Sequence, residues 1–202
     1  MSDSATYGKG IVVGTRMSWH SNGYPSDSTA WESDGSAVKV SWFDNGNPSA
    51  AGRYAAGEKM HGTWKFFHSN GALSSEEVYN NGTVVSKQYY TDAGKLLADT
   101  TNVDMEADFP GGNKAWQKYL RKNLHFPTQW QFQNAGQAIV LVDWTVDEEG
   151  NIRDVRVTGS FHPDFDKIAV DAIQKSPRWN PAIDHNRKIK AFRRQPVTFA
   201  QQ

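Results

Sequence analysis

The chain has 202 residues, and its 22 basic and 22 acidic side chains leave no formal net charge at pH 7. This balance argues against a generally basic nucleic-acid-binding protein and against a solvated acidic tail. The absence of cysteine excludes a disulfide framework, a thiol nucleophile and a cysteine-based zinc site.

The first hundred residues repeat one pattern of strand and turn. The segment GTRMSWHSNG at residues 14–23 returns as GTWKFFHSNG at residues 62–71. Turn glycines recur every 23 to 25 residues, at Gly23, Gly46, Gly71 and Gly94. Asn-Gly and Asp-Gly pairs favour tight hairpin turns, and an alternation such as Trp64-Lys65-Phe66 favours a strand with one apolar face. The pattern predicts an all-β antiparallel meander of about four units, with a β-sandwich as the alternative.

The second half has a mixed pattern. Apolar residues at helical spacing predict one helix over residues 114–124, capped by Gly112 or Asn113, and another over residues 164–176. Alternating apolar residues predict strands over residues 136–146 and 152–158 and a last strand over residues 187–199. The order helix–strand–strand–helix–strand is an α+β pattern with a three-stranded antiparallel sheet. We expect two domains, residues 1–100 and 109–202, joined by a polar linker at residues 101–108.

The repeat at residues 62–82 resembles MORN-type repeats (MORN variant 2), and the resemblance covers about residues 14–97. Such repeats imply a scaffold or an interaction surface. His20 and His68 occupy equivalent turns, so we expect them to be structural residues and not metal ligands.

Several short motifs follow one another in order through the second half. Phe109 to Gly112 opens the series, and Val146 to Val155 and Pro196 to Phe199 carry its hairpin and its ending. The remaining motif positions are Phe126, Pro127, Gly136, Trp179 and Pro181. Together these motifs resemble the C-terminal domain of TonB-family energy transducers of the Bacteroidetes-like kind, over about residues 105–202.

The resemblance implies a periplasmic protein, anchored in the inner membrane or as a lipoprotein in its full-length form. Its partner would be a TonB-dependent outer-membrane transporter, whose extended TonB box binds the last strand by β-augmentation. Contact with ExbB/ExbD-type motor proteins would require a membrane anchor in the full chain. The process served would be uptake of a siderophore, cobalamin or a glycan.

The predicted peptide-binding residues lie along the last strand. They are Lys188, Ile189, Lys190, Ala191, Phe192, Arg193 and Arg194. With Arg187, this region carries five positive charges, which either favour an acidic partner or only protect a solvated sheet edge. We expect the backbone to contribute more than the side chains, and pairing to weaken at Pro196 because proline has no N–H.

No catalytic constellation, cofactor motif or metal-ligand spacing is recognisable, so we expect neither an enzyme nor a cofactor or metal site. The acidic turn at residues 147–149 lacks the spacing of a calcium-binding EF-hand loop. An alternative function remains open. The chain would then be an envelope MORN-repeat scaffold or lipoprotein, whose TonB-like domain serves in docking or homodimer formation without energy transduction.

Overall fold

The computed structural model describes residues 4–8, 11–101, 104–132 and 136–200. The chain forms two compact units. The first contains Met1–Val103 together with His185–Arg187, and the second contains Asp104–Asp184 and Lys188–Gln202. Neither helix in the described part of the chain is long and apolar enough to cross a membrane.

The first unit is one antiparallel sheet of eight strands, in which every strand pairs with its neighbours in sequence. The strands are β1 (Ser4–Gly8), β2 (Ile11–Trp19), β3 (Pro25–Trp31), β4 (Ala37–Trp42), β5 (Pro48–Ala55), β6 (Lys59–Phe67), β7 (Leu73–Asn80) and β8 (Thr83–Tyr89). The predicted all-β meander is therefore confirmed, as a single sheet and not as the two packed sheets of a sandwich.

Equivalent residues connect successive turns of this sheet. Nε2 of His20 donates to the carbonyl oxygen of Trp42 (2.9 Å), and Nε2 of His68 donates to that of Tyr90 (3.0 Å). The asparagine two positions after each histidine also donates its side-chain amide to a carbonyl 22 residues further on. Both histidines thus have the structural role that their repeat position predicts.

One face of the sheet carries its buried aromatic residues. Trp64 and Phe66 on β6 are 1% and 3% exposed, whereas Lys65 between them is exposed. The Trp64 ring occupies the space over Gly52 on β5, where an added Cβ would lie 2.1 Å from the ring. The indole N–H donates to the Arg53 carbonyl (2.9 Å). The alternation predicted for β6 therefore defines the buried face.

A hydrogen-bonded carboxylate lies on the same face, on β7. Glu77 accepts hydrogen bonds from the hydroxyls of Ser75 (2.6 Å) and Tyr79 (2.5 Å), and its Oε1 lies 2.9 Å from Nδ1 of His185. Burial raises the pKa of Glu77, but the hydrogen bonds from His185, Ser75 and Tyr79 outweigh it and bring the pKa to about 2. Glu77 is therefore ionised at neutral pH.

The second unit has two helices and five strands among its described residues. They are α1 (Gly112–Asn123), β9 (Gln137–Val146), β10 (Ile152–Gly159), α2 (Pro163–Gln174), β11 (Ala182–Asp184), β12 (Arg187–Ile189), of which Arg187 belongs to the first unit, and β13 (Ala191–Ala200). The main sheet has the order β10-β9-β13 and is antiparallel throughout, which confirms the predicted α+β fold.

The core of the second unit is aromatic and aliphatic. Alternate residues of β9 contribute buried side chains, among them Val140, Val142 and Trp144, each no more than 2% exposed. Phe165 of α2 is fully buried, and Trp116 of α1 packs 6.2 Å from the Trp144 ring. On the other face of β9, Ile139 and Leu141 are 51% and 36% exposed.

The ends of the helices differ from those predicted. α1 begins after Gly111, whose φ of 86° places it in the left-handed region, and not after Gly112 or Asn113. Its first turn has no side-chain cap. The N-cap of α2 is His162, whose Nδ1 accepts from the Asp164 N–H (3.2 Å), and Pro163 follows at the first helical position.

The predicted last strand needs a correction, because residues 187–199 form two strands. β11 and β12 make a separate hairpin whose turn, His185 and Asn186, has φ values of 50° and 62°. Two consecutive left-handed residues reverse the chain tightly, as in the turns that favour hairpins. β13 then begins at Ala191.

Arg187 is likewise not the exposed charge that the sequence predicts. It is 8% exposed, and its guanidinium donates to the carbonyls of Ser49 and Phe67 in the first unit. The predicted linker also lies partly within the second unit. There Met105 pairs with Ile183, while residues 102 and 103 lie outside the described residues.

Candidate peptide-binding edge

β13 is an edge strand of uninterrupted register. Ten consecutive residues pair with β9, from Ala191 opposite Val146 to Ala200 opposite Gln137, without a bulge. The sheet order ends at β13 in the described part of the chain, so one side of this strand has no strand partner there. A long regular edge exposes backbone N–H and C=O groups that an additional strand can use.

The opposite edge, β10, is less suitable for pairing. Its register with β9 shifts twice, between Arg153 and Arg156 and between Val157 and Gly159. Asp154 has a φ of 51°, which a regular strand does not allow. Bulges of this kind twist an edge and interrupt its hydrogen-bonding groups. Of the two edges, only β13 offers a regular template.

Pro196 shows which backbone groups face the free side. In an antiparallel strand, the N–H and C=O of alternate residues point to opposite sides. Pro196 has no N–H to donate. Within a sheet, proline occurs where its backbone nitrogen points away from the neighbouring strand, because no ladder hydrogen bond is then lost. Residues of the same parity therefore present their backbone groups to the free edge. They are Phe192, Arg194, Pro196, Thr198 and Ala200.

A groove of about 560 Å³ runs beside the second half of β13. Its apolar residues come from the last turn of α1, from the segment just after that helix and from the inward face of β13. They are Leu120, Leu124, Phe126, Val197 and Phe199, with Gln117, Arg121 and His125 among the polar residues of the lining. An added strand places every second side chain on the inner side of the sheet. The groove lies where those side chains would enter.

The two arginines of β13 are already engaged. Arg194 binds Asp143 of β9 with both ends of its guanidinium, with Nε 2.7 Å from Oδ1 and Nη2 2.9 Å from Oδ2. These hydrogen bonds lower the pKa of Asp143, a side chain that is 1% exposed. Arg193 pairs with Glu106 (2.6 Å). These pairs neutralise much of the positive charge predicted along the strand.

The predicted edge residues fall into two groups. Lys188 and Ile189 lie on β12 and Lys190 lies between β12 and β13, so these three are not on the edge strand. Ala191, Phe192, Arg193 and Arg194 begin β13. Among them Phe192 is the most accessible apolar residue, with 57% exposure.

The motif positions belong mostly to the core. Phe126 packs against Phe165 at 5.4 Å between ring centroids, and it also lines the groove. Pro127 follows it and accepts from the Trp130 N–H (3.1 Å) through its carbonyl.

The other three motif positions flank core elements. Trp179 is 7% exposed and packs against Trp116 and Trp144. Gly136 precedes β9, and Pro181 precedes β11.

The groove residues Leu120 of α1 and Leu124, which follows the helix directly, are ones that the sequence does not predict as part of a site. Leu120 and Leu124 have the i, i+4 spacing of a core stripe, and Leu120 is indeed 5% exposed. Their second role appears only when β13 is placed beside the helix. Helical periodicity alone does not distinguish a groove wall from a core face.

Comparison with family models identifies one domain. Residues 122–200 match the family described as Gram-negative bacterial TonB protein C-terminal. The second unit is similar to a TonB C-terminal domain. The match supports the predicted TonB-like domain and, with it, a place in the periplasmic envelope. It includes β9, β10, α2 and the whole of β13. Comparison with curated proteins and with solved structures gives no match.

Proposed function

We propose that the TonB-like domain binds an extended segment, the TonB box of an outer-membrane TonB-dependent transporter, by β-augmentation on the free edge of β13. The observation that carries this proposal is the unbulged ten-residue register of β13 at the end of its sheet. Such an edge can pair with any extended backbone, and pockets for alternate side chains add specificity.

Specificity in this proposal comes from the groove more than from basic side chains. Arg193 and Arg194 already pair with Glu106 and Asp143, so a peptide would have to displace an acidic group to reach them. The groove, in contrast, offers Leu120, Leu124 and Phe126 to inward-pointing side chains of the added strand. A peptide with apolar residues at alternate positions fits this arrangement best.

The wider role follows from the proposed partner. A periplasmic protein that holds a transporter segment can couple inner-membrane energy to uptake of a siderophore, cobalamin or a glycan. Coupling requires an anchor and contact with ExbB/ExbD-type motor proteins. The role is non-enzymatic. For the first unit we propose the MORN-type identity and interaction role that its 23–25-residue repeats support.

NMR titration of the full chain with TonB-box peptides from the same bacterium tests the binding site. We expect the largest amide shift changes at residues 191–200 and in the last turns of α1. Peptides N-methylated at alternate nitrogens distinguish strand addition from other modes of binding. In strand addition only every second peptide N–H faces β13, so methylation of that set should weaken the complex and methylation of the other set should not. Shift changes confined to β10, or none at millimolar peptide, would contradict the proposal.

Two substitutions on the edge should change affinity in opposite directions. Pro196→Ala restores a missing donor, and one backbone hydrogen bond of about 0.5–1.5 kcal/mol should raise affinity roughly 2- to 10-fold. Thr198→Pro removes a donor of the same parity and should lower affinity about 10-fold. Calorimetric titration with the same peptide measures both changes.

The control for this pair is Val197→Pro, which has the other parity. It should break the ladder with β9 and destabilise the domain, whereas Thr198→Pro should melt near the wild-type temperature. If Thr198→Pro folds and binds as the wild type does, the peptide does not pair with this edge. If the Thr198→Pro protein unfolds, the Thr198 N–H is needed for pairing with β9 and the assigned parity is wrong.

A further inference from the structure

The first unit has an open recess of about 320 Å³ on the face of strands β2 to β5. It mixes aromatic, basic and acidic side chains, and the residues used below are Arg16, Asp27, Thr29, Trp31, Lys39 and Tyr54. A concave site with aromatic walls and convergent polar groups is the usual form of a ligand-binding site. The lining residues all belong to the first unit, so this site is independent of the peptide binding proposed above for β13.

The aromatic rings of the recess are placed by the repeat. Trp31 on β3 and Tyr54 on β5 are 23 residues apart in the sequence. Both are register partners of Ala37 on the strand between them. Alternate strands of a sheet lie about 10 Å apart. The two residues therefore lie in a row across the strands, with backbone positions about 10 Å apart.

A second row runs parallel to the first. Arg16 on β2 and Lys39 on β4 are also 23 residues apart, and both are register partners of Thr29. Lys39 forms an ion pair with Asp27 (3.1 Å), whose carboxylate also accepts from the Ser41 hydroxyl (2.8 Å). The recess thus presents polar donors and acceptors alongside the rings, at the same repeat.

The mixed charge narrows the class of ligand. A polyanion such as a phosphate-rich surface would meet Asp27 as well as the cations, and Asp27 already offsets Lys39. An extended peptide repeats its side chains on one face every two residues, about 6.7 Å, which does not match residues about 10 Å apart across the strands. The ligand should have apolar faces and hydroxyl groups that repeat at the distance between alternate strands.

We propose that this recess binds a linear β-1,4-linked glycan, whose chain crosses the strands. Such a glycan is an extended ribbon, and its disaccharide repeat has about the length that separates the backbone positions of Trp31 and Tyr54 across the strands. The C–H faces of successive disaccharides lie on Trp31 and Tyr54, because an aromatic face is negative and attracts the slightly positive C–H groups. The Asp27 carboxylate accepts hydrogen bonds from sugar hydroxyl groups, and the Lys39 ammonium group donates hydrogen bonds to ring or carbonyl oxygens.

Calorimetric titration of the full chain with hexasaccharides tests the proposal. We expect the β-1,4-linked N-acetylglucosamine hexasaccharide to bind, and the disaccharide to bind at least 10-fold more weakly because it reaches one ring only. The α-1,4-linked glucose hexasaccharide is helical, so it should not bind measurably. Equal binding of both hexasaccharides, or no binding of the β-linked one at millimolar concentration, would overturn the proposal.

Variants locate the site. Trp31→Ala should lower affinity at least 10-fold, whereas Trp31→Phe should keep most of it. Thr29→Gln fills the middle of the recess and should abolish binding without removing a buried ring. Val38→Ala, on the same strand as Lys39 but facing the other side, is the matched control and should bind as the wild type does.

Two results would show that the recess is not the glycan site. One is unchanged affinity in a folded Thr29→Gln protein. The other is binding to anionic phospholipid vesicles that Thr29→Gln abolishes, in the absence of any binding to the glycan. Thr198→Pro separates this proposal from the peptide-binding one, because it should leave glycan affinity unchanged.

Discussion

Gly150→Ala is expected to destabilise the TonB-like domain by about 3 kcal/mol, through strain and a steric clash. Gly150 has a φ of 84°, and an added Cβ would lie 2.0 Å from the carbonyl oxygen of Trp179. The two backbones are also bonded directly, because the Trp179 N–H donates to the Gly150 carbonyl (2.9 Å). A side chain at this position therefore separates the β9–β10 turn from the segment that carries Trp179.

The consequence extends to the core, because Trp179 packs against Trp116 and Trp144. Denaturant unfolding of the full chain, followed by NMR signals of β9 and β13, measures the loss. Gly112→Ala is the matched control, since its φ is 73° but nothing lies within 4 Å of the added Cβ. It should cost only about 1 kcal/mol. Equal losses for both variants would show that contact with Trp179 is unimportant.

The first unit is expected to lose about 2 kcal/mol of stability as the pH falls from about 4.5 to 2, an estimate that allows for solvent screening. The pKa of Glu77 in the folded protein is about 2, below its usual value of 4.5. A depressed acid pKa stabilises the fold above the unfolded value, and this contribution disappears as pH falls through the folded value. Protonation also weakens Glu77 as an acceptor for Ser75 and Tyr79.

The variant Glu77→Gln separates the loss of stability caused by protonation of Glu77 from the losses caused by protonation of other carboxylates. Asp143 in the second unit also has a lowered pKa, so the whole chain should be acid-sensitive. Guanidinium unfolding at pH 6 and at pH 3, followed by NMR signals of β6 to β8, compares the variant with the wild type. The variant should be less stable at pH 6 and should change less with pH. The same pH dependence in both proteins would contradict the role given to Glu77.

Features set by neighbouring residues are predictable from the sequence. The His-Ser-Asn-Gly turns predict both the hairpins and the equivalence of His20 and His68, because the turn conformation depends on the residues within it. The alternation around Lys65 predicts which side of β6 is buried. In the second half, the helical stripes and the order of elements predict the α+β fold. These signals are local, and a single sequence shows them directly.

Features that depend on distant contacts are not predictable in this way. The sequence does not distinguish Arg187 from Arg193 or Arg194, yet the first is buried beside carbonyl groups and the other two pair with acids. The break between β12 and β13 follows from two left-handed residues that no glycine marks. The groove beside β13 needs two elements that are far apart in sequence. The sequence predicts the free edge, but the parity that Pro196 indicates needs the pairing of β13 with β9, which only the structure shows.

The pairing pattern of the two sheets has a consequence for how the chain folds. Each strand from β1 to β8 pairs only with its neighbours in sequence, so the first sheet can form from local hairpins, each added to the last. β13, in contrast, pairs with β9, from which β10, α2, β11 and β12 separate it in the sequence. Such distant pairing has a larger entropic cost before any contact stabilises it. During synthesis the repeat sheet can therefore form before β13 has been made.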